Sequence, residues 1–521
     1  MSVTAAETSP THTGARPWLA LAVLALPTLL VALDANVLFL ALPRLTADLG
    51  ASNVQQLWVT DAYGFMVAGL VITMGTLGDR IGRRRLLMVG MAVFALASLV
   101  CAWATSPLML IAARGVQGIA GATLMPSTLA LITNTFRDDK QRGKAISIWA
   151  TCTFTGAALG PVLGGLLLVK FWWGAVFLLA VPVALVVLIA GLVLLPEFRP
   201  EQARRLDLTS VVLSLLGILP VVFAVKVLSL GNGNAVTAGV ALVVGVVFGT
   251  LYVRRQLRVQ DPLLDLRLFA NSSFTLILSA LALSGMVLAG TGLTVTQLLQ
   301  TVLGYSPLAS ALWFMPMGLF MAVGTMSTPA LINVIKPRTA IIGGMFLSAL
   351  GAAVLIVVNG DHGAWPIVLG TAIIGVGAGP MFALGTGLVV NSGPPERAGS
   401  AASMAETANY LGGALGLAVL GTISSAVYSH LVDGALPSGL GGAAAERARE
   451  TIAGAAGESA HLGADASAAL LKAAHSAFLN GLNAVAAFST AVFVLLAVLT
   501  GVYFQRAGRT GGEGRRGDAG P

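Results

Sequence analysis

Charge is what this chain of 521 residues has least of: Asp, Glu, Lys and Arg together make up 10% of it. Soluble globular domains carry roughly 25%, so a water-exposed fold is excluded. Cysteine is nearly absent as well. Cys101 and Cys152 are the only two, and both fall inside apolar runs. That excludes a disulfide framework and any Cys/His metal spacing, and it predicts free, buried thiols. There is no P-loop and no nucleophile–base or metal arrangement, so neither ATP-driven chemistry nor an enzyme is expected, and no cofactor or metal. The net charge of +8 comes from short basic loops between apolar runs. It therefore argues for attraction to anionic lipid and against nucleic acid as a partner.

What the chain has in abundance is apolar length, with 56% hydrophobic residues and a mean hydropathy of +0.87. About 20 apolar residues cross a bilayer as helix. Runs of that size lie near 18–42, 56–75, 86–104, 107–132, 144–168, 172–195, 208–229, 236–254, 273–299, 307–331, 339–358, 366–390, 401–430 and 477–504. The first is too long for a signal-peptide core and has no cleavage site after it, so it reads as a retained span. Fourteen spans put both termini on one side. Twenty-three Lys/Arg fall in the termini and the loops of that side, against five in the opposite loops. Since Lys/Arg excess in short loops marks the cytoplasm, both termini are expected there. The long connection 432–474 would face outward, with helix-forming stretches at 443–453 and 464–474 that suggest a small helical hairpin. The Gly/Arg-rich tail 507–521 reads as disordered.

The sharpest stretch is Gly75-Thr76-Leu77-Gly78-Asp79-Arg80-Ile81-Gly82-Arg83-Arg84-Arg85. Its charges cannot sit in hydrocarbon, so the runs on either side form a helical hairpin around it. It is either a topology signal or a latch locked in one conformation and released in another. The order G-x-L-G-D-R-x-G-R-R resembles the loop between helices 2 and 3 of the major facilitator superfamily.

An ionisable group at mid-membrane costs about 2.5–3.5 kcal/mol on insertion scales and is functional by default. Asp34, Asp61, Arg114 and Glu406 are four such groups. Each has a plainer alternative: Asp34 a packing hydrogen bond, Asp61 a wet helix-end charge, Arg114 a bond to backbone carbonyls, Glu406 a structural role. Taking a carboxyl out of water favours its protonated form, so such a group can exchange a proton for a cation. Trp58 and Tyr63 flank Asp61 and offer aromatic faces to a cation. Gln117, three residues beyond Arg114, is its expected polar neighbour.

Three motifs extend the resemblance. Leu33-Asp34-Ala35-Asn36 through Ala41-Leu42-Pro43 is similar to the first-helix motif of the fourteen-helix drug:proton antiporters, with Asn36 and Phe39 departing from it. Arg114-Gly115-Val116-Gln117-Gly118 resembles the fourth-helix motif R-x-x-Q-G. Gly156-Ala157-Ala158-Leu159-Gly160-Pro161-Val162-Leu163-Gly164-Gly165 resembles the motif that marks antiporters, although packing alone would also use such a glycine stripe.

Together these resemblances imply a fold and a function. The fold is an all-α polytopic membrane protein of the major facilitator kind: two six-helix bundles plus two additional central helices, fourteen in all. Its parts are a cytoplasmic tail (1–17), an N-terminal bundle (18–200), a two-helix insert with linkers (201–270), a C-terminal bundle (271–505) carrying the external loop 432–474, and a second tail (506–521). The implied function resembles that of the quaternary-ammonium exporters of the QacA type: export of lipophilic cations against protons in the bacterial cytoplasmic membrane, by a monomer. Asp34, Arg114 and Glu406 would couple protons. Asp34, Asp61 and Glu406 would meet the cation, with Trp58, Tyr63, Phe39, Trp149, Phe154, Trp313, Phe314 and Tyr410 as candidate walls. Gly75, Gly78, Asp79, Arg80, Gly82, Arg83 and Arg84 would gate. A self-resistance exporter for one antibiotic, or a sensor that has lost transport, are the alternatives.

Overall fold

The computed structural model describes residues 15–51, 53–199, 207–229, 235–259, 262, 264, 266–358, 363–391, 398–434, 436 and 442–517. Among them there is no strand. The helices of the first half are α1 (Ala15–Leu49), α2 (Asn53–Ile81), α3 (Arg83–Ala102), α4 (Pro107–Thr135), α5 (Asp139–Lys170), α6 (Ala175–Leu178), α7 (Ala180–Leu194), α8 (Leu208–Ser229) and α9 (Ala235–Arg258). Those of the second half are α10 (Ser272–Gln297), α11 (Pro307–Leu331), α12 (Pro337–Ile356), α13 (Trp365–Asn391), α14 (Ala398–Asp433), α15 (Gly442–Glu450), α16 (Ile452–Ser459) and α17 (Ala464–Gly517). Among the described residues, thirteen helical stretches are long and apolar enough to cross a membrane, with α6 and α7 counted as one. The fourteenth expected span is α8, 22 residues long, whose shorter apolar stretch is Thr209–Val221.

Local chemistry sets the helix starts. Ser106 precedes Pro107 and accepts the Met109 amide, and Ser306 precedes Pro307 and accepts the Ala309 amide. A side-chain acceptor at the cap followed by a residue lacking an N–H satisfies the orphan donors of the first turn. Pro161 lies inside α5, which nevertheless runs unbroken from Asp139 to Lys170.

Between helices in lipid there is no hydrophobic drive, so close approach of small residues carries the packing. A Cβ on Gly160 would lie 2.8 Å from the Leu33 carbonyl oxygen, and one on Gly164 2.6 Å from Val37. Gly412 and Gly416 of α14 likewise press on the backbone of α10 at Ala282 and Met286. The N-terminal bundle, α1 to α7, meets the C-terminal bundle along α5 and α11. Gly165 faces Leu308 at one end, Gly318 rests on Phe154 and Ala158 midway, and Thr151 Oγ1 donates to the Ala322 carbonyl at 3.4 Å. From the other bundle, α14 packs on α2 and α4.

Of the inserted pair α8–α9, α8 packs on both α2 and α14, with Leu215 and Leu219 filling the space over Gly69. At its end Arg255 forks onto Asp207 with two bonds of 2.9 Å, Ser210 joins them, and Gln256 donates to Ser210 at 2.7 Å. The side chain of Lys226, a charged residue within α8, lies outside the described residues.

Three expectations need correction. The stretch 464–474 is not the second arm of a separate hairpin. It is the beginning of α17, because no proline interrupts the chain from Ala464 to Gly517. The small helices are instead α15 and α16, tied by Arg447 to Glu458 at 2.6 Å and by the Tyr428 hydroxyl donating to the Ala448 carbonyl at 2.9 Å. The tail continues α17 to Gly517, since adding residues to an existing helix costs far less than starting one. Of the two thiols, Cys101 is buried but Cys152 only half-buried.

Candidate functional site

Asp34 is 3% exposed, midway along α1, and Arg114 is 1% exposed on α4. The Arg114 Nη1 donates to Asp34 Oδ2 at 2.6 Å and to Gln117 Oε1 at 2.7 Å. Gln117, one turn along the same face, donates through Nε2 to Asp34 Oδ1 at 2.9 Å and to Ser98 Oγ of α3 at 2.8 Å. Both carboxylate oxygens are thus engaged, as a buried ion pair requires if desolvation is to be offset. The Arg114 guanidinium also lies over the ring of Tyr63, 4.7 Å from its centroid, and 5.7 Å from that of Phe177. The spacing i, i+3 in α4 made Gln117 legible as the neighbour of Arg114. No pattern in the sequence pointed to the arginine's partner on α1, 80 positions away, or to Ser98.

The glycine stripe of α5 lies directly against this centre. Gly156 presses on the Leu29 carbonyl, Gly160 on Leu33 and Asn36, and Gly164 on Val37, so the turns of α1 on both sides of Asp34 rest on bare backbone. Gly165, next in the motif, faces Leu308 of the other bundle.

Glu406 stands on α14, 6% exposed, and among the described residues its carboxyl has no hydrogen-bond or ion-pair partner. Tyr410, one turn on, lies within electrostatic reach of Glu406 and packs against the core of the N-terminal bundle. It is also within reach of Tyr63, which in turn feels Asp34 and Arg114. The two acids therefore sit in different bundles, each within electrostatic reach of a tyrosine.

The sequence model of the Major Facilitator Superfamily matches residues 24–417. The chain belongs to the Major Facilitator Superfamily. It is 40% identical to the multidrug efflux pump LfrA of Mycolicibacterium smegmatis, over 96% of this chain and 98% of that one. To the methyl viologen resistance protein SmvA of Salmonella typhimurium it is 35% identical, over 94% and 99%. Among solved structures it resembles the human organic anion transporter MFSD10 (TETRAN) at a TM-score of 0.63 and 15% identity, covering 94% of this chain and 100% of that one, a likeness of fold. It is a multi-pass membrane transporter, related over nearly its whole length to multidrug efflux pumps.

The superfamily's loop motif is built into the end of α2 and the start of α3. Arg83, fully buried, bonds Asp79 at 2.5 Å across one turn, and a Cβ on Gly78 would touch the Arg83 guanidinium. Gly82 takes φ +106° between the two helices, a conformation open to glycine. Glu197, just past α7, accepts the Arg84 amide at 3.1 Å, and Arg84 Nη1 donates to the Leu195 carbonyl at 3.1 Å. Glu197 was not singled out by the sequence, because it lies in an ordinary-looking basic connection.

The remaining candidate walls are scattered. Phe154 meets Phe382 of the other bundle edge-on at 5.1 Å, where the bundles touch. Trp149 is buried and gives its indole N–H to Thr128 at 3.1 Å. Trp58 stacks on Phe223 of the insert. Trp313 stacks on Tyr305 and meets Trp365, near the start of α11, while Phe314 faces Gly292 of α10. The side chains of Phe39 and Asp61 lie outside the described residues.

Proposed function

We propose that this transporter exports lipophilic cations, such as quaternary ammonium compounds, dyes and antiseptics, in exchange for protons. One observation carries the reading: a buried Asp34–Arg114–Gln117 centre in one bundle, with both carboxylate oxygens hydrogen-bonded, and in the other a buried carboxyl, Glu406, without a partner among the described residues. A proton arriving at Asp34 removes the charge that holds Arg114 and frees the guanidinium. A cation arriving at Glu406 supplies the counter-charge that residue lacks. Two acids in two rocking bundles let one site load as the other unloads, in alternating access. The name of one relative supports the substrate class, since methyl viologen is a quaternary cation.

In this reading the drive is the proton, with no cofactor, no metal and no enzymatic step. The protein works as a monomer in the bacterial cytoplasmic membrane, with both termini in the cytoplasm. Asp34→Asn keeps the shape of the centre and removes its titration. Purified protein should release protons when ethidium is added, and Asp34→Asn should abolish that release. Undiminished release from Asp34→Asn would place the coupling elsewhere.

A further inference from the structure

The Tyr63 ring is not free to receive a ligand, because the Arg114 guanidinium covers its face at 4.7 Å. The seat that brings ring and guanidinium together is specific. Arg114 projects from α4 together with Gly118 and Gly121, and both glycines are used to admit α2. A Cβ on Gly118 would lie 2.5 Å from the Tyr63 carbonyl oxygen, and one on Gly121 would lie 2.9 Å from the Tyr63 hydroxyl. Phe94 also packs on the Tyr63 ring, in a T-shaped contact at 6.3 Å.

Inside this seat, Arg114 spends a single nitrogen, Nη1, on both Asp34 and Gln117, and its Nε has no hydrogen-bond partner among the described residues. A guanidinium held through one corner can swing about that corner. The aromatic face is what fixes its plane, since the quadrupole of a desolvated ring attracts a cation held over it. The Tyr63 hydroxyl is itself buried and, among the described residues, without a hydrogen-bond partner that would explain why a tyrosine is placed here.

We infer that Tyr63 is a positioning residue for proton coupling: its ring holds Arg114 on Asp34, and Gly118 and Gly121 hold the ring. The inference rests on the reading of Asp34 as the coupling acid. The titratable groups beside Arg114 are Asp34 from α1, Tyr63 from α2 and Cys101 from α3; from α14, Tyr410 lies within electrostatic reach of Tyr63, and Glu406 of Tyr410; α6 presents the apolar Phe177. Among the charged side chains of this set, Arg114 has Asp34 as its ion-pair partner. Loosening that pair is therefore the direct consequence of losing the ring. A carboxylate that loses part of an opposite charge keeps its proton to higher pH.

The test is the pH dependence of ethidium-induced proton release from the purified full-length protein. Tyr63→Leu should move the midpoint upward by about 0.5–1 unit. Gly121→Ala, which leaves every group of the centre in place and displaces the ring, should move it in the same direction. Tyr63→Phe keeps the aromatic face and should leave the midpoint where it is. A Tyr63→Leu midpoint equal to wild type overturns the inference, as does a Tyr63→Phe midpoint displaced as far as that of Tyr63→Leu. Should Tyr63→Leu not fold, Gly121→Ala decides in its place. Asp34→Asn is measured alongside. Loss of release there with an unmoved midpoint in the Tyr63 and Gly121 variants sinks this inference alone, whereas release that survives Asp34→Asn removes the coupling reading and this inference with it.

Discussion

The Glu197 carboxylate stands directly over Gly82, so close that a Cβ on the glycine would lie 2.5 Å from Oε1. That oxygen accepts the Arg84 amide at 3.1 Å, and the other faces Arg85 at 3.7 Å. The first turn of α3 is thereby capped by a carboxylate from beyond the far end of α7, placed where a helix N-terminus favours negative charge. The Arg83 amide is satisfied in the same way by the Phe198 carbonyl, at 3.0 Å.

This contact makes Gly82→Ala a sharp probe of the loop. The substitution meets both a positive φ and an occupied space, and holding a non-glycine residue there costs on the order of 1–3 kcal/mol. The protein should still insert, since the apolar spans are untouched, but efflux per inserted copy should fall severalfold. Asp79→Asn should act in the same direction by leaving the fully buried Arg83 without its counter-charge. Wild-type efflux from both variants would reduce the loop to a topology signal.

Glu406→Gln preserves volume and deletes the charge. If Glu406 recognises cations, affinity for a monovalent lipophilic cation should drop roughly tenfold or more, about 1.4 kcal/mol, while any neutral substrate is spared. Binding of ethidium to purified protein, followed by fluorescence, reads this directly. Unchanged affinity would assign Glu406 to structure and move the search toward α1 and α2.

The distribution of Lys and Arg makes a prediction of its own. A reporter active only in the cytoplasm should report when fused at Gly512 and stay silent at Gly439. The opposite pattern at either position would break the fourteen-span topology.

The pin of the inserted hairpin responds to acid. Hydrogen bonding to Arg255 holds the Asp207 carboxyl down at about 2, from its ordinary value near 4. A carboxyl held low in the folded state stabilises at every pH above its unfolded value, and that contribution disappears as pH falls through the folded value. The difference in melting temperature between wild type and Asp207→Asn should therefore be constant from neutrality to about pH 5, then shrink between about pH 4 and 2. A difference that changes with pH only above 5 would mean that another group is titrating.

What the sequence determined by itself was everything that depends on length and transfer from water. Fourteen apolar runs had to be helices, because a spanning segment must satisfy its own backbone. The charged residues that interrupt those runs had to be exceptional, which singled out Asp34, Arg114 and Glu406. Gln117 was legible because i and i+3 share a helix face. What tertiary structure decided was which of these groups meet. That Arg114 answers Asp34 across 80 positions, that its charge covers Tyr63, and that Glu406 has no partner among the described residues follow from helix rotations about their axes. Those rotations are set by the packing of Gly156, Gly160 and Gly164 on α1 and of Gly118 and Gly121 on Tyr63. Nearly uniform hydrophobicity around a span carries no mark of which face will turn inward. The aromatic residues show the same limit: Trp58, Trp149 and Trp313 read alike along the chain. Only packing sent the first to the insert, the second to a threonine, and the third to a stack with Tyr305.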